Sequence, residues 1–355
     1  MTLSLYIARR FLWMVTRVFG AFLGILMLVE VVDQLRRFSD PGISIGEAVH
    51  LAAMSVPESL YRILPLIMIL SAIALFLGLA RSSALVVVRA AGRSGLRFLV
   101  TPVLVSLILG TLAVAVLNPL VAATIKEYDA LWFKHKRGTE SVLSISEEGL
   151  WVRQGGPEGQ TVIHAARANG DGTELFGATF LTFGPDGLPE TRIEAERALL
   201  QPGAWGMTGT KRWDLRQPNP ESTATVAAQL TLGSELTREA IRDSFGTPSA
   251  IPVWDLPAYI AGLERAGFSG RSHRVWFQME LALPLLMSAM VLVAAGFTMR
   301  HARFGRTGQM VMLALGGGFA IFFLRNFAQV LGENGQIPVL MSAWEHPVAA
   351  TLLAI

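Results

Sequence analysis

Apolar and polar residues are segregated along the chain into an apolar block, a polar middle and a second apolar block. Residues 127–271 hold 19 of the 27 acidic side chains, whereas residues 59–126 and 281–332 hold none. A helix needs about 20 mostly apolar residues to cross the hydrocarbon of a bilayer. We therefore predict six transmembrane helices in two groups of three, at residues 11–32, 56–80, 98–125, 275–299, 310–331 and 337–355.

The polar middle alternates between apolar and polar residues, which is typical of β-strands. The alternating runs fall between about residues 142 and 232 and are separated by clusters of Gly, Pro, Asn and Asp, with examples at residues 149–154, 161–166, 174–183, 191–200 and 223–232. This spacing is typical of an antiparallel sandwich or jelly roll, and we expect Trp151, Trp205 and Trp213 in its core.

A helix is predicted after the strands. Asp255 and Pro257 resemble an N-cap and a first-turn proline, which predicts a helix to about residue 266.

These patterns predict an α-helical polytopic membrane protein with an inserted all-β, jelly-roll-like domain. Three transmembrane helices lie in residues 1–130, the β domain and its connecting helix in residues 131–270, and three more transmembrane helices in residues 271–355. A short helix near residues 82–94, between the second and third spans, completes the layout.

Composition agrees with a membrane protein. Hydrophobic residues make up 52% of the chain and charged residues 16%, and the mean hydropathy is +0.46. Soluble domains carry about 25% charged residues. The net charge of +3 is too small to indicate nucleic-acid binding. The absence of Cys excludes disulfides, thiolate metal ligands and a Cys nucleophile.

Arginines in short loops predict the orientation. Short cytoplasmic loops of membrane proteins carry an excess of Lys and Arg. Three basic stretches fall on one face of the predicted six-span layout, and they contain Arg9 and Arg10, then Arg81, Arg89, Arg93 and Arg97, then Arg300, Arg303 and Arg306. We therefore expect a cytoplasmic N-terminus and a periplasmic β domain.

Motifs for ATP hydrolysis and for common enzyme chemistry are absent from the sequence. It contains no phosphate-binding loop of the Gly-x-x-x-x-Gly-Lys-Ser/Thr type, no His-Glu-x-x-His and no Gly-x-Ser-x-Gly. The six His residues lack metal-ligand spacing. We accordingly predict no catalytic residue, no metal and no cofactor.

The basic loop after the second predicted span is unusually apolar. Its residues 84–92 lie between arginines and predict a short helix at the membrane surface. Three interpretations stay open for it: a buried re-entrant segment, a simple interfacial helix and a surface that docks a cytoplasmic partner. Leu85, Val88 and Arg89 share one face at spacings of i, i+3 and i+4.

Ionisable residues near the outer ends of the predicted spans are the second notable feature. Charges inside a membrane are expensive, and they usually face a cavity or each other. Glu280 and Arg325 fall at similar depths on neighbouring antiparallel spans, so we expect them to lie close together. Ion pairing and ligand contact remain equal alternatives for Arg325.

In the third span, Pro119 predicts a kink and no specific function.

Several short motifs follow one another along the chain, at residues 31–37 (Val-Val-Asp-Gln-Leu-Arg-Arg), 55–57 (Ser-Val-Pro), 64–66 (Leu-Pro-Leu), 85–92 (Leu-Val-Val-Val-Arg-Ala-Ala-Gly), 148–151 (Glu-Gly-Leu-Trp), 284–285 (Pro-Leu) and 335–338 (Gly-Gln-Ile-Pro). In sequence and in order they resemble the LptF/LptG family of lipopolysaccharide transporter permeases. The Asp-Gln-Leu-Arg-Arg run favours the LptG branch over its sister LptF.

This resemblance implies a half-transporter in the inner membrane of a Gram-negative bacterium. The expected partners are an LptF-like permease, an LptB-like ATPase dimer, an LptC-like single-span protein and a periplasmic bridge protein. Lipopolysaccharide and membrane lipids are the expected ligands. The helix near residues 82–94 would be the coupling helix on the ATPase, through Arg81, Ala84, Leu85, Val88 and Arg89.

The resemblance also assigns residues to a lipopolysaccharide cavity, namely Asp33, Arg36, Arg37, Arg62, Lys126, Glu280 and Arg325. Three positions depart from the family pattern. Ala84 replaces the usual Glu of the coupling helix, and Glu30 and Glu58 stand where well-known relatives place Lys. Basic residues should therefore contribute less to phosphate binding in this chain.

Two other functions compete with transport. One is a membrane-bound enzyme acting on lipid-linked sugars, which would need an acid–base or metal cluster in residues 131–270. The other is a structural anchor that holds a periplasmic complex without transport.

Overall fold

The computed structural model describes residues 2–38, 43–81, 95–136, 143–146, 149–156, 159–169, 172–234, 236–237, 241, 247–265, 269–299 and 307–354. The chain divides into two compact units. The helical unit is built from Met1–Trp132, Ser249–Trp254 and Arg271–Ile355, and the β unit from Phe133–Pro248 and Asp255–Gly270.

The α-helices of the described residues are numbered in chain order. They are α1 Thr2–Arg37, α2 Ile45–Arg62, α3 Leu64–Arg81, α4 Gly95–Leu112, α5 Asn118–Lys136, α6 Leu256–Arg265, α7 Arg271–Thr298, α8 Thr307–Glu333 and α9 Val339–Ala354. A π-helical turn, Ala113–Leu117, joins α4 to α5. All of these helices except α6 belong wholly or mainly to the helical unit.

Among the described residues, four helical stretches are long and apolar enough to cross a membrane. They are α1, the continuous stretch from α4 to α5, α7 and α8. The pair α2 and α3, bent by 64°, would supply a fifth. The last predicted span corresponds to α9, which has 16 residues and is shorter than the about 20 that a bilayer requires. The prediction of several membrane helices is confirmed, but the number six is not.

The bend between α2 and α3 divides the second predicted span. Helix α2 begins earlier than predicted, with a capping box in which Ser44 Oγ accepts from the Glu47 N–H at 3.2 Å and Glu47 Oε2 accepts from the Ser44 N–H at 2.9 Å. It ends at Arg62, and Pro65 occupies the first turn of α3, where a missing N–H is tolerated. The bend makes Tyr61 and Arg62 the last residues of α2.

The irregularity predicted at Pro119 lies just before it, in the π-helical turn. Proline has no N–H to donate to the carbonyl four residues earlier, which here belongs to Ala115. That carbonyl instead accepts a hydrogen bond from the Trp254 indole at 3.3 Å. The π-helical turn and the proline together leave the Ala115 carbonyl free to accept this hydrogen bond from the short segment Ser249–Trp254.

Helix α7 is central to the helical unit, since it packs against α3, α4, α8 and α9. The fully buried side chains around it include Met290 and Ala294 of α7 and Phe76 of α3. The approach to α4 is very close, because a Cβ at Gly110 would lie 2.5 Å from Pro284 Cα. Only glycine fits at this crossing.

The β unit contains one antiparallel seven-stranded sheet with the strands in sequence order. The strands are β1 Leu143–Ser146, β2 Gly149–Gly156, β3 Gly159–Ala168, β4 Glu174–Phe183, β5 Pro189–Gln201, β6 Ala204–Asp214 and β7 Thr225–Gly233. The five predicted runs are confirmed as strands, while β1 and β6 were not predicted. The sheet is antiparallel as expected, but sequential neighbours do not establish the two Greek keys of a jelly roll.

A crease crosses the sheet where the pairing of strands is interrupted. Gly177 in β4, Glu196 in β5 and Gly209 in β6 lie in one row that lacks regular pairs, and both glycines have positive φ values, 59° and 62°. Buried residues normally alternate with exposed ones along a strand, but across this row two residues instead of one separate the buried Ala195 from the buried Ala198 of β5. Glycine inside a strand often marks such a bend.

Only one of the three tryptophans expected in the β core lies there. Trp205 is fully buried and its ring packs edge-on against Phe180 at 5.9 Å between ring centroids. Trp151 is 39% exposed. Trp213 is half-buried, with the Arg192 guanidinium 5.4 Å and the Lys211 ammonium 4.8 Å from its ring centroid.

The helix predicted after Asp255 is confirmed as α6. The Asp255 carbonyl accepts from the Tyr259 N–H at 3.0 Å, and Leu263 packs into the core of the β unit. The helix ends at Arg265, one residue before the predicted limit.

Candidate functional site

Polar side chains from five helices meet inside the helical unit. We call Tyr61, Asn118, Glu280, Arg325 and His346 the buried polar cluster; they come from α2, α5, α7, α8 and α9. Glu280 is 0% exposed and Arg325 is 5% exposed. The Tyr61 hydroxyl donates a hydrogen bond to Glu280 Oε2. A buried carboxylate depends on such a donor.

Asn118 ties this cluster to the segment that runs into α6. Its side-chain oxygen accepts from the Val253 N–H at 2.8 Å, while its side chain also lies close to Tyr61 and Glu280. Asn118 is the first residue after the π-helical turn. π-Helical turns are frequent at functional sites because they re-aim the side chains that follow.

Arg325 lies within electrostatic range of the rest of the cluster. It interacts with Glu280, Tyr61 and His346, and also with the like charge of Arg62. Glu280 Oε1 and His346 Nδ1 have no hydrogen-bond partner within the described part of the chain. The expected proximity of Glu280 and Arg325 is therefore present, but the described residues contain no direct salt bridge between them.

Exposed charged residues lie at the ends of α1 and α2. Asp33 and Arg37 form a salt bridge of 2.7 Å, and Glu58 and Arg62 form one of 2.8 Å. Both pairs have i, i+4 spacing on one helix, which orients the side chains without fixing either helix to another. Arg37 and Arg62 keep more than half of their side-chain surface exposed, 56% and 63%.

Gln34 is a buried residue that the sequence did not identify as notable. Its amide nitrogen donates to Glu30 Oε1 at 2.7 Å and to the Tyr128 hydroxyl at 2.9 Å. This contact joins α1 to α5 close to the Asp33–Arg37 pair. The Asp-Gln-Leu-Arg-Arg run was the only signal for it in the sequence.

Arg36 and Lys126 complete the set of residues assigned to the lipopolysaccharide cavity. Both are exposed, on α1 and α5 respectively, and neither makes a salt bridge within the described ranges. Their charges are thus available to an anionic group, whereas Glu280 and Arg325 are enclosed by helices. The predicted set therefore separates into exposed cations and a buried pair.

The residues predicted to contact an ATPase cannot be compared in the same way. Arg81 is the last residue of α3, and Ala84, Leu85, Val88 and Arg89 lie outside the described residues. Their role stays a prediction.

In the described part of the chain, no three acidic or His side chains are grouped to hold a metal ion.

Comparison with known proteins decides the family. The sequence model described as lipopolysaccharide export system permease LptF/LptG matches residues 5–355. The chain belongs to the LptF/LptG family. It is therefore a permease subunit of lipopolysaccharide export, as the motifs along its sequence predicted.

Individual members of the LptF/LptG family are distant from this chain. It is 24% identical to the lipopolysaccharide export system permease protein LptG of Escherichia coli strain K12, over 89% of this chain and 86% of that relative. It is 22% identical to the LptG protein of Haemophilus influenzae, over 95% of this chain and 91% of that relative. Identities this low do not separate the LptG branch from the LptF branch, so that choice stays a prediction.

Proposed function

We propose that this chain is an LptG-like half of an ATP-driven transporter that extracts lipopolysaccharide from the inner membrane. The observation that carries the proposal is the family match across residues 5–355. The transporter's second half is an LptF-like permease, and ATP is hydrolysed by an LptB-like dimer. The chain crosses the membrane six times, with its N-terminus in the cytoplasm.

The exposed cations near the ends of α1 and α2 and in the middle of α5 bind the phosphate groups of lipopolysaccharide. Arg36 and Lys126 supply charges free of salt bridges among the described residues, and Arg62 supplies a guanidinium already oriented by Glu58. Charge-assisted hydrogen bonds from Arg to phosphate are roughly twice as strong as neutral ones. Asp33 orients Arg37 in the same manner at 2.7 Å.

Glu280 and Arg325 contribute by fixing the helices that surround these cations. Both are buried, so they support the cavity through Tyr61 and Asn118 rather than by contacting the lipid. A cluster shared by five helices keeps the ends of α2 and α5 in register with α7 and α8. This division of roles refines the cavity predicted from the sequence.

The β unit accepts the extracted lipid on the periplasmic side and passes it to an LptC-like protein and a periplasmic bridge. Its single antiparallel sheet, creased at Gly177 and Gly209, is the part of a jelly-roll-like channel that this chain supplies. The basic loops on the opposite side of the membrane support this orientation.

Lipid cross-linking tests the cavity. A photoreactive amino acid in place of Arg36 or Lys126 should give lipopolysaccharide adducts in cells. The matched control is Leu313, an exposed apolar residue near the start of α8. Equal adducts at Leu313 would contradict a cavity built on the exposed cations.

Thiol labelling tests the orientation. Cysteines in place of Asp186 or Glu221, both in the β unit, should react with an impermeant reagent in intact spheroplasts, because the natural chain has no Cys. Protection of both positions until lysis would reverse the topology.

Partner recovery tests the coupling helix. Replacing Leu85 and Val88 by Asp should release the ATPase while the permease stays in the membrane. Replacing Leu188 and Val226 by Asp, two exposed apolar residues of the β unit, serves as the control. An undiminished ATPase yield from the Leu85 and Val88 variant would contradict this role.

A further inference from the structure

The first half of α1 carries two arginine–aromatic pairs on a single face. Tyr6, Arg10, Trp13 and Arg17 follow one another at spacings of four, three and four residues, which places all four on one side of the helix. None of them belongs to the cavity or to the predicted coupling helix.

Each arginine lies over the aromatic ring one turn before it. The Arg10 guanidinium is 5.9 Å from the Tyr6 ring centroid and donates to the Tyr6 hydroxyl at 2.8 Å. The Arg17 guanidinium is 5.8 Å from the Trp13 ring centroid. Side chains on a helix lean toward its N-terminus, so both cations point to the same end of α1.

Most of this face is exposed, and its cations are not neutralised. Tyr6 and Trp13 are 51% and 55% exposed and Arg17 is exposed, whereas Arg10 is half-buried, with its guanidinium beside Gly78 of α3. Neither arginine has a carboxylate within salt-bridge distance among the described residues. Arg17 nevertheless lies six residues inside the apolar stretch 11–32, about 9 Å along the helix. A cation at that depth requires an anion or a route to the interface.

We propose that this face binds the phosphate of an anionic phospholipid between Arg10 and Arg17. Both guanidinium groups lean toward the membrane surface, where lipid phosphates lie, and the amphipathic Tyr6 and Trp13 rings suit that interface. The face continues through Gly20 and Gly24, where a Cβ would meet no atom within 4 Å. An acyl chain fits along this smooth continuation of the phosphate site.

The lipid site is independent of lipopolysaccharide transport. The cavity cations lie near the opposite end of α1, at Arg36 and Arg37, about 30 Å from Arg17 along the helix. Loss of the phospholipid site would leave the cavity residues unchanged.

Native mass spectrometry of the full chain in detergent tests the proposal, with phosphatidylglycerol and diacylglycerol, which lacks the phosphate, as probes. The wild-type protein should bind phosphatidylglycerol about tenfold more tightly than diacylglycerol, the ratio expected for one or two charge-assisted hydrogen bonds. Arg17→Gln and Arg10→Gln should each weaken phosphatidylglycerol binding about tenfold. Glycerol phosphate at millimolar concentration should not displace the lipid.

Arg9→Gln is the matched control, because Arg9 is an exposed neighbour on another face of α1. Its phosphatidylglycerol affinity should stay within about twofold of wild type. Equal affinity for the two lipids in the wild-type protein would overturn the proposal even if the variants failed to fold. It would also be overturned if Arg9→Gln lost as much affinity as Arg17→Gln. Release of a bound membrane protein by Arg17→Gln, with lipid binding unchanged, would instead make this face a protein interface through Gly20 and Gly24.

Discussion

The helical unit and the β unit differ in whether they bury charged side chains. The β unit keeps its ion pairs at the surface, as in Arg192 with Glu194, whose side chains are 49% and 45% exposed. The helical unit has exposed pairs too, such as Asp33 with Arg37, but it also encloses Glu280 and Arg325. Exposed ion pairs contribute about 0–1 kcal/mol, whereas removing one partner of a buried pair costs about 3–5 kcal/mol. A glutamate should therefore contribute little to stability at position 194 of the β unit and much more at position 280 of the helical unit.

The largest contrast should appear when the same substitution is made in both units. Glu280→Ala removes the charge that balances Arg325 and should lower the free energy of unfolding by about 3–5 kcal/mol. Glu194→Ala should change it by less than about 1 kcal/mol. Thermal unfolding of the detergent-solubilised protein measures both. Similar losses for the two variants would remove the distinction between the units.

In the β unit, the largest loss of stability should come from substitutions in the apolar core. Trp205→Ala should destabilise the protein by about 3–5 kcal/mol, because it empties a fully buried position beside Phe180. Trp213→Ala should cost less than about 1 kcal/mol, since its ring lies between surface cations. Urea unfolding followed by circular dichroism compares the two, and a larger loss at Trp213 would place the core elsewhere.

A neutral group in the buried polar cluster should have an intermediate effect. Asn118→Leu leaves the buried Val253 N–H without its acceptor at 2.8 Å, which should cost about 1–3 kcal/mol. The control is Asn219→Leu in the β unit, where the exposed Asn219 side chain makes no capping hydrogen bond. Proteolysis of the segment around Ser249–Trp254 should increase only for the first variant. Unchanged proteolysis would show that this hydrogen bond does not hold the segment.

The smallest effect should come from an exposed carboxylate of the β unit. Hydrogen bonds from Lys211 and from Trp213 hold the pKa of Glu221 below its usual value near 4.5. A lowered pKa in the folded state stabilises the protein above the unfolded value. This contribution is lost as the pH falls through the folded value. Carboxyl NMR should show Glu221 titrating below 4.5 in the wild type and closer to 4.5 after Lys211→Met, which leaves the Trp213 hydrogen bond in place. An ordinary wild-type value would contradict the contact.

Long apolar runs made the membrane helices predictable, because a span needs only length and hydrophobicity. The interruptions were not predictable in the same way. The 64° bend after Arg62 and the π-helical turn before Asn118 depend on contacts with distant segments. Hydropathy averages over about 20 residues and does not resolve either feature.

Strand alternation identified five strands and missed two for different reasons. Strand β1 has only four residues, which is too short for a pattern. Strand β6 contains Gly206 and Gly209, and the crease at Gly209 shifts its buried positions by one. The same crease explains why Trp205 is in the core and Trp213 is not, although both lie on one strand.

The candidate site was predicted only where it is charged. Glu280 and Arg325 stood out because ionisable residues are rare in apolar stretches. Tyr61 and Asn118 did not, since neutral polar residues are common in membrane helices. The hydrogen bond from Tyr61 to Glu280 joins positions 219 residues apart, which a single sequence cannot reveal.

The central claim, that this chain exports lipopolysaccharide with its exposed cations in the cavity, can be measured directly. Proteoliposomes would contain the chain, an LptF-like permease and an LptB-like ATPase, and release of lipopolysaccharide to an LptC-like acceptor would be followed. We predict ATP-dependent release that falls severalfold when Arg36 and Lys126 are both replaced by Gln, while Arg153→Gln in the β unit leaves it unchanged. Release that is independent of ATP, or equal in all three proteins, would contradict the account.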